Sequence, residues 1–286
     1  MRPLDYRAPG SVEETLDLLQ RSGDGATLLA GGQSLLILLR QGLVTPEVLV
    51  GLKRVRGLDG ITASPDTLSL GSMVTYATAA GDPRVAERAQ LVGAAAGQVG
   101  SVHIRNLGTL GGSLCHADPA GDVPTVLLAL DAVLHTVSPG GAGARHGIDD
   151  FFRGLFETRL EPGELLVSIE VPAAPSGATF GYRRFSYRSG EYPMAVAACR
   201  LAWEDGQCTG ARVAVGGAGE HPRRLPELEG LLEGIAAGDV IAAASGSEPF
   251  AALRPIADIR GSEGWKRRVV AELVRATIAD AVATRS

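Results

Sequence analysis

The spacing of apolar and polar positions predicts a strand, a glycine turn and a helix near the start of the chain. A capping box at Ser11 opens an amphipathic helix that ends near Gly23. An apolar run over residues 26–30 predicts a buried strand, and an apolar stretch at helical spacing covers residues 35–40. The small polar segment 31–34 joins these two elements. A strand that runs through glycines into a helix start can bring free backbone N–H groups together.

The same pattern continues to the middle of the chain. Apolar runs over residues 46–52 and 66–72 predict two further strands. Helix starts follow at Thr75 and at Asp82-Pro83, and the second helix is predicted to run to about Gly97. A glycine-rich loop and a short helix over residues 123–131 come next. Strands and helices therefore alternate in this part of the chain.

A proline- and glycine-rich segment over residues 172–177 separates this part from a region of different composition. Beyond it, β-branched and small apolar residues predict an antiparallel sheet with a hairpin turn at residues 204–206. The predicted strands cover residues 179–187, 193–203 and 207–215, and the predicted helices cover residues 225–235 and 265–282. Strands followed by helices predict an α+β layer, so two domains are expected.

Composition limits the classes of function. The chain has 286 residues, of which 45% are hydrophobic, so it can bury one large core or two smaller ones. Its 27 basic and 32 acidic residues give a net charge of −5 without long runs of either sign, which argues against nucleic acid as a partner. No segment has the roughly 18 to 20 apolar residues of a membrane span, and the N-terminus lacks the apolar core of a signal peptide. We therefore expect a cytoplasmic protein.

Cysteine usage argues against a cluster or metal held within this chain. Cys115, Cys199 and Cys208 are odd in number and have no CxxC spacing. A disulfide framework, a zinc site and an iron–sulfur cluster would each need more cysteines or closer spacing. Any iron–sulfur cluster that works with this chain is expected in a partner, and no metal site is expected here.

Two glycine-rich loops carry the candidate chemistry. The first is the turn at residues 31–34, and the second is Gly108–Ser113, which adds the Thr109 hydroxyl. N–H groups and a hydroxyl suit a pyrophosphate, and a carboxylate such as that of Asp118 or Asp122 suits a sugar hydroxyl. The alternative is that the glycines form tight, well-packed turns. Neither GxGxxG nor GxxxxGK[ST] is present, so a Rossmann or P-loop nucleotide site is not indicated.

Several polar residues near the second loop have structural alternatives. Asp118 and Asp122 are also suited to cap a turn and the following helix. His103 and His116 are possible acid–base groups, but no nucleophile or second ligand is spaced to use them, so hydrogen bonding within the loop is the simpler interpretation.

Four segments, in this order and spacing, resemble the FAD-binding medium subunit of molybdenum hydroxylases, a family that includes the carbon monoxide dehydrogenase medium subunit and the flavin domain of xanthine dehydrogenases. The segments are AGGQSLL at 30–36, IRNLGTLGGSLCHADPAGDVP at 104–124, DFFRG at 150–154 and ELLVSIEVP at 164–172. A looser match covers YRRFSYRSGEYPMAVAAC at 182–199. The resemblance implies an α+β fold: a two-part FAD-binding domain of the PCMH (vanillyl-alcohol-oxidase-like) type over residues 1–174 and a smaller flavoprotein C-terminal domain over residues 178–286.

The resemblance also implies a set of FAD contacts in this chain. Two loops would surround the pyrophosphate, one carboxylate would hold a ribityl or ribose hydroxyl, and four further residues would line the isoalloxazine and adenine ends. The loop residues are Leu29, Ala30, Gly31, Gly32, Gln33, Ser34, Leu35 and Leu36 with Thr109, Gly111, Gly112 and Ser113; the carboxylate is Asp122; the others are Val99, Val167, Arg183 and Tyr192. Val99 and Val167 are equally suited to a core.

By the same resemblance, FAD binds noncovalently and the chain works in a complex. A molybdopterin-binding large subunit would hold the molybdenum cofactor, and a small subunit would hold [2Fe-2S] clusters that pass electrons to the flavin. The chain departs from the family at Arg183, Tyr187, Glu191 and Gly51. Two alternatives stay open: a stand-alone FAD-dependent oxidoreductase acting on a small molecule, and a scaffold protein with a vestigial site.

Overall fold

The structure is a computed structural model that describes residues 4–188 and 190–285. The N-terminal domain contains two sheets and a hairpin. Its strands are β1 (Asp5–Arg7), β2 (Ala26–Leu29), β3 (Val48–Gly51), β4 (Ile61–Ala63), β5 (Thr67–Gly71), β6 (Val133–Val137), β7 (Gly143–Gly147), β8 (Phe152–Gly154), β9 (Glu157–Thr158) and β10 (Leu165–Pro172). The first sheet is parallel with the order β1-β3-β2, and the second is antiparallel with the order β4-β5-β10-β6-β7. The domain is therefore built in two parts.

Short helices connect these strands and fill the space between the sheets. They are α1 (Val12–Ser22), α2 (Leu35–Gln41), α3 (Tyr76–Gly81), α4 (Pro83–Arg88), α5 (Gln90–Gln98), α6 (Val102–Leu107), α7 (Leu110–His116) and α8 (Asp122–Ala129). The predicted capping box is confirmed, because the Ser11 hydroxyl accepts the Glu14 N–H at 3.2 Å and Gly23 ends the helix. Every residue of α8 is buried, which places this helix at the centre of the molecule.

The C-terminal domain is an antiparallel sheet covered by helices. Its elements are β11 (Thr179–Phe185), β12 (Ala195–Glu204), β13 (Gln207–Gly216), β14 (Arg223–Arg224), α9 (Pro226–Leu232), α10 (Val240–Ala243), α11 (Glu248–Ala251) and α12 (Glu263–Ala283). The sheet has the order β11-β12-β13-β14. α8 contacts this sheet from the N-terminal domain and α12 contacts it too. Residues 195–199 of β12 are all buried, as expected for a strand that is covered on both faces.

Two local predictions were wrong. The helix predicted from Asp82 to about Gly97 is interrupted at Ala89, where φ is −144° and ψ is 51°, so α4 and α5 each bury their own apolar residues. The segment Gly108–Ser113, predicted as a loop, contains the start of α7 at Leu110 and directly follows α6. The reason is capping, since the Ser101 and Thr109 hydroxyls each accept an N–H of the helix that follows.

The predicted domain limits, 1–174 and 178–286, stay a prediction; residues 1–3 and 286 lie outside the described part. β10 ends at Pro172 and β11 begins at Thr179. None of the helices in the described ranges is both long enough and apolar enough to cross a membrane.

Candidate functional site

The first glycine loop joins β2 to α2 and leaves its backbone donors free. Gly32 has a φ of +72°, a conformation that a side chain would strain. The Gln33 amide donates to the Gly31 carbonyl at 3.0 Å, and the Gly32 carbonyl accepts from Leu36. The N–H groups of residues 31–35 donate to no acceptor among the residues that the structure describes. Consecutive N–H groups without partners form a concavity suited to an anion.

The second glycine loop uses its donors within the protein. The Gly112 N–H donates to the Thr109 hydroxyl at 3.0 Å, which caps α7. The N–H groups of Leu110 and Gly111 donate to the carbonyls of Val74 and Ser72, both at 2.9 Å. Thr109 itself is only 3% exposed. This loop is therefore fixed to the end of β5, whereas the first loop is held by fewer bonds.

Three glycines of the two loops lie close to atoms of neighbouring residues. A Cβ on Gly31 would overlap the Leu107 carbonyl oxygen, and one on Gly111 would lie 2.6 Å from the Ser72 side chain. A Cβ on Gly112 would lie 3.5 Å from the Ala30 Cβ. The packing interpretation of these glycines thus has direct support at positions 31 and 111. At Gly32 it is the backbone conformation that requires glycine.

Tyr192 lies on the turn that follows β11 and points back to the N-terminal domain. Gly190 in this turn has a φ of +80° and packs near the Gly100 carbonyl; Ser189, also in the predicted turn, lies outside the described residues. The Tyr192 hydroxyl lies beside the Asp118 carboxylate, and burial of that hydroxyl raises the Tyr192 pKa well above its usual value. The residue as a whole is 50% exposed. An aromatic side chain placed in this way can cover a bound ring.

Asp118 and His116 line the same region as Tyr192. Burial raises the pKa of Asp118, against the opposing effect of the Ala120 N–H, and burial lowers the pKa of His116. The His116 ring packs against Phe156 with centroids 5.1 Å apart. His103 lies exposed on α6, and no cluster of metal-ligating side chains occurs within residues 4–188 and 190–285. The predicted hydrogen bonding within a loop is not seen for either histidine in the described residues, since His103 lies on α6 and His116 ends α7 with its ring packed on Phe156.

Asp122 lies at the junction of the two domains. Its carboxylate accepts the Tyr182 hydroxyl at 2.7 Å and lies 3.3 Å from the Arg184 Nε. Burial raises the Asp122 pKa, while Arg184 and Tyr182 oppose that rise. With 4% of the side chain exposed, this carboxylate bonds mainly to protein. Its predicted contact with a sugar hydroxyl stays a prediction.

The remaining predicted contacts are spread around this site. Arg183 points to the other face of β11, where it pairs with Asp280 at 2.6 and 2.9 Å. Val99 and Val167 are half-buried and pack against apolar clusters. Ser113 lies beside the buried Tyr76 hydroxyl. The roles of these residues as ligand contacts stay predictions.

Sequence reasoning missed Arg184 and Tyr182, which share one face of β11. The two-residue period of a strand places positions 182 and 184 together and position 183 opposite. Ser72 was missed as well, and its hydroxyl is buried beside Gly111 without a hydrogen-bond partner in the described chain. The strand period was the available signal for the first two residues, and no sequence signal marks Ser72.

The donor set fits FAD. A run of free N–H groups suits the pyrophosphate, and the half-exposed ring of Tyr192 suits the edge of a flavin. The sequence matches the family described as the FAD binding domain in molybdopterin dehydrogenase over residues 2–174. The chain belongs to this family. Residues 180–281 match the CO dehydrogenase flavoprotein C-terminal domain.

Similar proteins cover almost the whole chain. The nicotine 6-hydroxylase medium subunit of Paenarthrobacter nicotinovorans is 37% identical, over 96% of each chain. The carbon monoxide dehydrogenase of Hydrogenophaga pseudoflava, solved without the Mo-pyranopterin moiety of its molybdenum cofactor, has a chain that is 31% identical with a TM-score of 0.94 and full coverage of both chains. A chain of quinoline 2-oxidoreductase from Pseudomonas putida 86 is 33% identical with a TM-score of 0.90, over 98% of this chain and 97% of that one.

These matches confirm the predicted fold class and the predicted cofactor. The chain is an FAD-binding oxidoreductase subunit of the molybdenum hydroxylase type, with an FAD-binding domain and a C-terminal domain that contains an antiparallel sheet. Its relatives are medium subunits and medium chains of multi-subunit enzymes.

Proposed function

We propose that this chain is the electron-transfer subunit of a complex with two partners, a [2Fe-2S] small subunit and a molybdopterin-binding large subunit. The observation that carries the proposal is the run of free N–H groups at residues 31–35. The fold that presents them is the one shared with the FAD-binding family. Bound FAD supplies the redox chemistry by taking up electrons and releasing them to an acceptor. The chain itself binds the cofactor, orients it and controls access to it.

We assign separate tasks to the described residues. The first loop holds the pyrophosphate through its N–H groups, and the second loop fixes the position of the first by packing against it. Tyr192, held by Asp118, covers one face of the flavin ring and limits the approach of an acceptor. Asp122 contacts a hydroxyl of the cofactor or, through Tyr182, supports the domain junction. FAD is held noncovalently in this arrangement.

The stand-alone alternative rests on departures from the family at Gly51, Tyr187 and Glu191. The Tyr6 ring lies across Gly51, where a Cβ would lie 2.3 Å from the Tyr6 hydroxyl and 2.8 Å from the ring, so glycine at this position makes room for Tyr6. The Tyr187 hydroxyl donates to the Arg260 carbonyl at 2.6 Å, so this residue has a structural task. The Glu191 carboxylate lies 3.8 Å from Arg188 on the surface. None of these departures points to a separate substrate site.

Purification of the chain from its native host tests the proposal. We expect two partners to co-elute with this chain, the large subunit and the small subunit, together with iron, molybdenum and releasable FAD. Acid precipitation should release all of the yellow colour, because the cofactor is not bonded to the protein. A yellow protein that purifies alone and oxidises a small molecule would support the stand-alone alternative, and a colourless protein would support the scaffold alternative. A cytoplasmic location stays a prediction.

A further inference from the structure

Arg184 is a buried arginine at the domain junction that the proposed function does not yet use. It lies on β11 of the C-terminal domain, and only 10% of its side chain is exposed. A charged side chain this buried needs compensating partners, or burial would strongly destabilise the fold. Its partners therefore indicate what the residue does.

The three nitrogens of the guanidinium contact three separate segments. Nη1 donates to the Gln98 carbonyl, Nη2 donates to the Glu191 carbonyl at 2.8 Å, and Nε lies 3.3 Å from the Asp122 carboxylate. Gln98 ends α5, Glu191 lies in the turn after β11, and Asp122 begins α8. One side chain thus joins the N-terminal domain at two points to the turn of the C-terminal domain.

Each of these three segments carries a predicted FAD contact. Gln98 precedes Val99, Glu191 precedes Tyr192, and Asp122 is itself a predicted contact. We propose that Arg184 is the positioning residue of the flavin end, which holds the Tyr192 turn against the N-terminal domain. This inference rests on the proposed function, because it takes Tyr192 to face the flavin.

The turn has few other bonds to the N-terminal domain. Within the described residues, the backbone bonds that hold it are local: Glu191 N–H to Arg188 carbonyl at 3.3 Å and Met194 N–H to Phe185 carbonyl at 2.7 Å. Outside its own hairpin, the Tyr192 hydroxyl lies beside the Asp118 carboxylate and Gly190 lies near the Gly100 carbonyl. Loss of the guanidinium would leave the turn attached mainly through Tyr192 itself.

Only arginine has the geometry for this task. Its planar fork presents donors in three directions, while lysine has a single ammonium at the end of a flexible stem. Lysine at this position would keep the charge next to Asp122 but could not reach both backbone carbonyls. The two substitutions therefore separate charge from geometry.

Arg183 provides a matched control. It is adjacent on β11, carries the same charge and forms its own two bonds to Asp280, but on the opposite face of the strand. Arg183→Gln therefore removes one charge and one ion pair without touching the turn. Any general effect of losing an arginine from β11 should appear in both variants.

The experiment compares wild type, Arg184→Gln, Arg184→Lys and Arg183→Gln in the full chain with its partners. Hydrogen–deuterium exchange of the amides at 188–192 reports on the turn, and the flavin spectrum and rate of reoxidation report on Tyr192. We expect Arg184→Gln to raise exchange at the turn at least about tenfold and to shift the flavin spectrum. Arg184→Lys should show both effects at smaller size, and Arg183→Gln should match wild type in exchange at the turn.

Coupling to Tyr192 gives a second readout. If Arg184 acts by holding Tyr192, the double variant Arg184→Gln/Tyr192→Ala should have the flavin spectrum and reoxidation rate of Tyr192→Ala alone. Additive effects would overturn the proposal. If Arg184→Gln fails to fold, the lysine variant decides, and wild-type exchange and spectrum in Arg184→Lys would overturn it.

Failure of the proposed function has a different signature. A wild-type protein that contains no flavin would contradict the proposed function, but the exchange comparison at 188–192 needs no flavin and would still test the role of Arg184 in holding the turn. Equal exchange in Arg184→Gln and Arg183→Gln would overturn the inference even in a protein that binds FAD.

Discussion

The two glycine loops are similar in sequence and differ in what their backbones do. In the first, the N–H groups of residues 31–35 have no acceptor in the described chain; in the second, the N–H groups of residues 110–113 all donate to protein oxygens. The first loop contains Gly32 at positive φ, whereas Thr109 opens the second as a helix cap. The backbone of the first loop is therefore available for binding, except that Gly31 also packs against the Leu107 carbonyl, and the backbone of the second loop serves packing.

A glycine pair therefore does not by itself identify a ligand contact. A backbone donor contributes to binding when it has no partner in the protein, since a satisfied N–H gains little from a second acceptor. The free N–H groups and Gly32 of the first loop are expected to govern affinity for FAD, while the second loop and Gly31, which packs against Leu107, are expected to govern stability. The four predictions below test this division, from the largest effect to the smallest.

The largest effect is expected where backbones meet. Gly31→Ala forces a methyl group into the Leu107 carbonyl, and Gly111→Ala places one 2.6 Å from Ser72. Each should lower the free energy of unfolding by about 3 kcal/mol, because backbone atoms cannot move aside as side chains do. Urea denaturation measures this loss. Gly147→Ala is the control, since a Cβ there has open space; an equal loss in the control would contradict the packing argument.

The second prediction compares Gly32→Ala with Gly112→Ala. Alanine at position 32 has to adopt a φ of +72°, at a cost of roughly 1 to 2 kcal/mol, or turn the free N–H groups away. We expect the FAD dissociation constant to rise about a hundredfold, which equals about 2.7 kcal/mol. Equilibrium dialysis or fluorescence titration measures it.

At Gly112, two effects oppose each other. A Cβ would lie 2.7 Å from the Thr109 hydroxyl and weaken the cap by about 1 kcal/mol, while alanine favours the helix by about the same amount. The free energy of unfolding should therefore stay within about 1 kcal/mol of wild type, and the FAD dissociation constant within about fivefold. Equal losses of FAD affinity at positions 32 and 112 would show that the two loops bind alike.

The sequence alone indicated both loops but could not show this difference. The acceptors that satisfy the second loop, the carbonyls of Val74 and Ser72, lie at and beyond the end of β5, more than thirty residues away in a contact that the pattern does not reveal. The strand, turn and helix around the first loop were predicted because they are local. Long-range backbone pairing is what composition and periodicity leave open.

Arg183 and Arg184 illustrate the same limit at the flavin end. Adjacent strand residues point to opposite faces, but β11 is covered by α12 on one face and by the N-terminal domain on the other. Because both positions hold an arginine, no alternation of polar and apolar residues shows that Arg184 is the buried one, while 47% of the Arg183 side chain is exposed. The family resemblance gave the site and the fold, and only the packing of the two domains distinguished the two side chains.

The third prediction compares the two residues at the helix N-caps. The Thr109 hydroxyl accepts the Gly112 N–H, while Ser34, at the equivalent position of α2, makes no side-chain cap bond. Thr109→Ala should therefore cost about 1 kcal/mol of stability, and Ser34→Ala less than about 0.5 kcal/mol. Thr109→Ser should restore most of the loss. Denaturation midpoints measured without FAD test this; similar losses at both caps would contradict the division between the loops.

The last prediction uses pH, because only the region after the second loop contains titratable groups; residues 29–36 have none. Burial raises the pKa of Asp118, and the Ala120 N–H, His116, Tyr192 and Arg260 oppose that rise. The folded protein therefore holds this proton at pH values where the unfolded chain has lost it. Stability should fall as pH rises from about 3.9, the ordinary value for aspartate, to the raised folded value, and then level off.

Asp118→Asn should remove that fall, so the variant gains stability relative to wild type as pH rises through the same window. The effect is the smallest of the four because one carboxyl titrates and its partners offset part of the shift. Urea denaturation at a series of pH values measures the difference. Since His116 is close and its own pKa is lowered, the comparison is repeated in a His116→Gln background. A difference between Asp and Asn that does not change with pH would show that Asp118 keeps its ordinary pKa in the folded protein.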